Sequence, residues 1–197
     1  MVAKFLVVLA VSLVSISCAA QVAPEANSHR QIVTSVGGGL DYWSGDWGAG
    51  KINRWGPSAW ATAKLWHGFS VIAQGNSMIV GGYQIASNYK YFEGGGGLEY
   101  TSDHWGRLQP LFHGEAGFGS LTQPGNDTGH FHDTRTTWKA GGGLEYYTWR
   151  NMWTRVEYDY DFFPDFHSSI TDLNHTLNPR GMTFGETFRF GRSGSRY

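Results

Sequence analysis

Between Met152 and Phe162 the chain alternates without a break. Thr154, Val156, Tyr158, Tyr160 and Phe162 share one parity; Trp153, Arg155, Glu157, Asp159 and Asp161 share the other. A period of two is the signature of a strand. This strand fits poorly in a water-soluble sandwich. Its Arg/Glu/Asp side cannot form a dry core, and its Val/Tyr/Phe side makes a poor surface against water. Lipid on the outside and a polar lumen on the inside accommodate both sides.

A second pattern carries the same sidedness. Residues 36–42 read Val-Gly-Gly-Gly-Leu-Asp-Tyr, 94–100 read Gly-Gly-Gly-Gly-Leu-Glu-Tyr, and 140–146 read Ala-Gly-Gly-Gly-Leu-Glu-Tyr. Leu and Tyr fall on one parity, Gly and the carboxylate on the other. The inward glycines make room for long charged side chains from neighbouring strands. A phosphate cradle is not implied, because no helix signal and no Lys-Ser/Thr follows them.

Read in order, the chain gives eight strands, at about 31–43, 54–66, 69–75, 89–101, 107–120, 136–148, 152–162 and 180–190. The connections between them alternate long and short, as they do in up-and-down outer-membrane barrels. His67-Gly68, 102–106 and Trp149-Arg150-Asn151 are the tight turns. The stretches 121–134 and 164–179 read as long polar loops. Aromatics collect where headgroups would sit: Trp66, Trp105, Trp149 and Trp153 near the short turns, and Tyr42, Trp43, Tyr89 and Phe162 near the long loops. The expected fold is therefore all-β, an eight-stranded antiparallel up-and-down transmembrane β-barrel over residues 31–191.

The N-terminus reads as a targeting segment. Lys4, the apolar run Phe5–Val14 and the small residues Cys18-Ala19-Ala20 form a secretory signal peptide pattern over 1–20. Cleavage is expected between Ala20 and Gln21. Lipidation at Cys18 is the competing outcome, although Ser15-Ile16-Ser17 lacks the leucine such sites carry. Residues 21–30 form a polar lead-in and 192–197 a polar tail. No later stretch approaches 18 apolar residues, which excludes a helical membrane protein and leaves a barrel open. The formal net charge of −1 and the absence of a basic patch exclude nucleic acid as a partner.

With those segments in place, the chain resembles the small outer-membrane β-barrel domain family, the outer-membrane-protein-A-like and opacity-type eight-stranded barrels. The carriers are the Gly-Gly-Gly-Leu-Asp-Tyr strand, its echoes, and the closing segment 178–191 with Thr183, Phe184, Gly185, Phe188, Arg189 and Phe190. Gly185, Phe188 and Phe190 resemble the terminal signal read by the outer-membrane assembly machinery. The resemblance implies a bacterial outer-membrane location, outer-membrane lipids and that machinery as partners, and, as is often so in the family, no enzymatic activity. Two departures stand out. The chain continues seven residues past Phe190, and Glu186 shares the outward parity of Phe184, Phe188 and Phe190; it is protonated there, or contacts a partner, or, as is expected first, the strand carries a bulge or register slip.

The inward parity assigns a lumen charge network of Asp41, Lys64, Glu93, Glu99, Glu115, Lys139, Glu145, Arg155, Glu157, Asp159 and Arg189. A three-residue turn at 149–151 sets Glu145 opposite Arg155, and an exchange of those two charges is then expected to restore stability. An eight-stranded barrel is narrow and its interior is filled by side chains, so an ion-pair plug is expected rather than a pore. No catalytic residue, cofactor or metal is assigned. His130 and His132 with Asp127 and Asp133 sit in a polar loop without a fixed third ligand. His167, Ser168, Ser169 and Asp172 supply hydrolase residue types that polar loops also carry by chance. The function expected is a non-enzymatic, structural or surface-interacting barrel with an unidentified loop ligand. An outer-membrane lipid or peptide hydrolase or a small-solute channel is the alternative. A secreted lipocalin-like barrel would need the opposite sidedness, with an apolar lumen.

Overall fold

The computed structural model describes residues 33–46, 51–79, 90–103, 105–124, 130–167 and 174–190. The expected signal peptide, lead-in and tail lie outside the described residues, as do the loop stretches 80–89 and 168–173.

The strands are β1 (Thr34–Asp46), β2 (Lys51–Trp66), β3 (Phe69–Ile79), β4 (Lys90–Thr101), β5 (Leu108–Pro124), β6 (His130–Trp149), β7 (Met152–His167), β8 (Asn174–Leu177) and β9 (Arg180–Phe190). Each pairs antiparallel with its neighbour, in the order β6-β5-β4-β3-β2-β1-β9-β7-β8, and β7 also pairs with β6. That last pairing closes eight strands into a barrel, which leaves no edge inside the wall. The short β8 pairs only with the far end of β7.

The tight turns follow from their residues. His67 and Gly68 both adopt positive φ, 39° and 87°, the conformation that a two-residue hairpin of matching twist requires. At the β6–β7 turn Arg150 takes φ 43° and Trp149 pairs with Met152 across it.

Several strands run further than the sequence pattern suggests. β5 and β6 extend through much of the expected loop at 121–134, and β7 continues to His167 through the expected loop at 164–179. The backbone ladder persists past the end of the alternating apolar pattern, because hydrogen bonding between strands needs no lipid.

The wall has the sidedness that the alternation requires. Val36, Leu40, Leu98, Phe112, Phe118, Trp138, Leu144, Tyr158, Tyr160 and Phe184 are exposed on the outside. Asp41, Glu99, Glu145, Arg155, Glu157 and Asp159 are buried on the inside. Trp66, Trp105 and Trp149 are exposed near the short turns. Trp153 and Trp43 are not part of this belt. They are 4% and 1% exposed and point into the lumen. Parity overrides nearness to a turn: Trp153 shares the side of Arg155, and Trp43 that of Asp41.

The expected slip at Glu186 does not occur. β9 pairs with β1 and β7 in continuous register, with Glu186 opposite Gly38 and Thr154. The carboxylate faces outward and accepts a hydrogen bond from Thr154 Oγ1 at 2.8 Å, and Thr154 in turn meets Thr148 Oγ1 at 2.7 Å. A hydrogen-bonded side chain four positions from the strand end bears a smaller membrane cost than one at mid-wall.

Candidate functional site: a charged lumen

The lumen side chains stack in layers along the barrel. At the long-loop end Trp43, Met78, Tyr91, Leu121 and Phe163 form an apolar cluster. Tyr91 and Phe163 meet edge to face at 5.8 Å between ring centroids. Tyr91 turns its hydroxyl inward and donates to Glu93 Oε2 at 3.0 Å.

Glu93 begins the charged layers. Lys139 Nζ lies 3.4 Å from Glu93 and 3.9 Å from Asp161, and 5.3 Å from the Trp43 ring. Asn76 and Thr137 also donate to Glu93, at 3.4 and 3.3 Å. Below them, His113 sits among carboxylates. Its Nδ1 is 2.8 Å from Glu115, and its Nε2 is 2.9 Å from Asp159 and 3.7 Å from Glu157. Thr183 Oγ1 donates to Asp159 at 3.3 Å.

The next layer belongs to Arg155, which is 1% exposed. Its guanidinium bonds Glu157, reaches Glu99 at 2.7 Å and Glu145 at 3.7 Å, and lies over Trp60 at 5.2 Å. Trp60 Nε1 donates to Thr187 Oγ1 at 3.0 Å. Arg189 closes the stack: it bonds Glu145, donates to Gln109 Oε1 at 2.9 Å and lies over Trp153 at 4.2 Å.

At the short-turn end the lumen opens into a polar cavity of about 430 Å³, whose floor includes Glu99, Glu145, Gln109 and Arg189. Lys64 belongs here and not in the packed layers. It has the inward parity, but it is exposed and lines this cavity, because the strand has reached the rim and its register shifts between Lys64 and Trp66.

Of the other residues assigned to the network, Asp41, Glu93, Glu99, Glu115, Lys139, Glu145, Arg155, Glu157 and Asp159 are buried, and Arg189 is half-buried. Asp41 stands in register with Thr183 across β1 and β9. Glu145 and Arg155 are direct cross-strand partners, yet Arg155 is shared with Glu99 on β4 and with Glu157. The sequence set omits His113, Arg54 and Asp161, all buried in the lumen. Parity could have found each. Asp161 continues the row of Asp159, His113 shares the side of Glu115, and Arg54 shares the side of Ser58 and Trp60.

The glycines of the repeat have a steric reason. A Cβ on Gly37 would overlap the indole of Trp60, and one on Gly141 would overlap Asp159 Oδ1 and His113 Nε2. Gly185, assigned to the assembly signal, also lies against Trp60, while Phe188 and Phe190 are exposed on the outer wall with rings 5.0 Å apart. Asp133 pairs with Arg135 at 3.0 Å, while the side chains of His130, His132 and His167, and residues 125–129 and 168–173, lie outside the described set.

No family model matches the chain, and no curated protein matches it in sequence. Solved structures do match it in shape. Neisserial surface protein A (NspA) superposes with a TM-score of 0.65 at 12% identity, over 80% of this chain and 97% of that one. The outer membrane protein OprG of Pseudomonas aeruginosa gives 0.53 at 11% identity, over 83% and 98%. Ail, the attachment invasion locus protein of Yersinia pestis, in complex with the heparin analogue sucrose octasulfate, gives 0.52 at 15% identity, over 82% and 100%. With its apolar outer wall, closed antiparallel ring and charged lumen, the chain has the fold of the small eight-stranded outer-membrane β-barrels.

Proposed function

We propose that the chain is a non-enzymatic outer-membrane protein whose lumen is closed to solutes and whose outward loops carry a structural or surface-contact role. The observation that carries this reading is the continuity of the lumen packing. From the Trp43–Phe163 cluster through Lys139, His113 and Arg155 to Arg189, side chains from opposite walls meet at contact distance. A narrow barrel filled in this way offers a water column no free path. The exposed apolar belt supports an outer-membrane setting. The last strand, with Phe188 and Phe190 on its outer side, suits recognition by the assembly machinery.

Planar-bilayer recording tests the closed lumen. Purified barrel at neutral pH is expected to give no steady large-channel current. Sustained conductance through wild-type protein would favour the small-solute channel instead. Ail, in the structure named above, holds a sulfated sugar analogue; a loop ligand for this chain is to be sought by binding assays on whole cells bearing loop deletions.

A further inference from the structure

We propose that His113, Glu157 and Asp159 form a site for a first-row divalent cation such as zinc, held inside the barrel. One ligand atom from each lies within 4.8 Å of the other two, and all three residues are buried. A zinc ion about 2.1 Å from each atom of a tetrahedral set would hold those atoms about 3.4 Å apart. His113 Nε2 is 2.9 Å from Asp159 Oδ1 and 3.7 Å from Glu157 Oε1, which brackets that spacing.

The surroundings fit the same reading. Glu115 stands 2.8 Å from the other ring nitrogen, Nδ1. A carboxylate in that place orients a metal-bound histidine and directs the Nε2 lone pair at the metal. The Glu157 oxygen 3.7 Å from Nε2, Oε1, is the one that bonds Arg155, while its Oε2 has no hydrogen-bond partner. Asp161, the next inward residue on β7, is 1% exposed, and neither of its oxygens takes a hydrogen bond. Gly141 leaves the wall bare beside the His113–Asp159 pair.

Charge points the same way. Among the described residues the lumen buries eight carboxylates, Asp41, Glu93, Glu99, Glu115, Glu145, Glu157, Asp159 and Asp161, against Arg54, Lys139, Arg155 and the half-buried Arg189. A buried surplus of that sign is relieved by a bound cation or by protons on the carboxylates. One imidazole with carboxylates suits zinc and its first-row neighbours better than magnesium or calcium, which prefer oxygen alone. The rival occupant is a proton on His113, which would bridge Glu115 and Asp159 without any metal.

The test uses untagged full-length protein, refolded into detergent in the presence of ZnCl2 so that the ion can enter before the lumen closes, and freed of excess by gel filtration. Bound zinc is measured by atomic emission, and folding by the heat-dependent gel shift. Close to one zinc per folded barrel is expected for wild type and for H130Q/H132Q, with at least a tenfold loss of affinity in H113Q and D159N. No retained zinc in folded wild type would establish the proton and overturn the proposal. So would undiminished binding in H113Q, or loss of zinc in H130Q/H132Q, which would move the site to the loop. If the lumen variants fail to fold, X-ray absorption on zinc-loaded wild type decides. One imidazole with oxygen ligands supports the site; two or more imidazoles, or none, refutes it.

Discussion

Replacing Arg155 with methionine separates a charge-filled lumen from a merely well-packed one. The guanidinium is 1% exposed, bonds Glu157, and stands 2.7 Å from Glu99 and 3.7 Å from Glu145. At an effective dielectric of about 20, those last two contacts correspond to gross attractions of about 6 and about 4.5 kcal/mol. Desolvation of the four groups offsets most of this in the wild type. The variant keeps much of the volume and loses the one cation that, among the described residues, contacts all three carboxylates. Those groups then relax by taking up protons or admitting water from the cavity at the short-turn end, so the net loss should fall near the ~3–5 kcal/mol seen when one partner of a buried pair is removed. Reversible urea unfolding from lipid vesicles, followed by tryptophan fluorescence, measures it. R155M/E99Q/E157Q should regain at least half of the loss, because its carboxylates no longer need a counter-charge. The exchange E145R/R155E should not recover, since it puts a guanidinium beside Arg189 and a third carboxylate between Glu99 and Glu157. A loss below about 1 kcal/mol in R155M, or full recovery in the exchange, would refute the three-way sharing.

Other positions test other parts of the structure. Gly141→Ala places a methyl group on the His113–Asp159 pair and should cost ~1–3 kcal/mol as overpacking, read from the same unfolding curve; an unchanged midpoint would show that the pair has room to move. Ala61, outward on β2 between Val36 and Ala73, faces the bilayer, so Ala61→Arg should cost ~2–4 kcal/mol while Ala61→Leu stays neutral. Glu186→Leu removes an outward carboxylate held only by Thr154, and its urea midpoint should hold or rise; a clear fall would reveal a partner for that carboxylate. F188A/F190A should slow insertion in cells while leaving the refolded barrel stable in detergent, as expected if those rings serve assembly more than the finished wall.

The sidedness of the repeat strands and of β7 was legible because it depends only on parity, a local property of the sequence. The repeat shows this: Leu40, Leu98 and Leu144 are outside, and Asp41, Glu99 and Glu145 inside. Neighbouring pairs were legible wherever a tight turn sets the register, as at Glu145 and Arg155. Contacts across the lumen were not. Arg155 on β7 reaches Glu99 on β4, and Arg189 on β9 reaches Glu145 on β6. Neither pair of strands is adjacent, so both contacts depend on how the closed ring is tilted and staggered. Strand ends were also hidden, since pairing in β5, β6 and β7 outlasts the apolar alternation. Trp43 and Trp153 lie near strand ends, where a headgroup belt would sit, yet their parity puts both indoles in the lumen. At Glu186 a membrane cost alone suggested a slip, whereas the Thr154 hydroxyl across the ladder supplies a partner in register.

Two tryptophans report directly which side of the wall meets lipid. Trp138 is 56% exposed on the outer wall, and Trp60 is 3% exposed in the lumen. In vesicles of brominated lipid, which quench only indoles in contact with acyl chains, Trp138→Phe should remove part of the quenched fluorescence and Trp60→Phe part of the unquenched remainder. The reverse assignment, with Trp60 quenched and Trp138 protected, would contradict a polar lumen inside a lipid-facing wall.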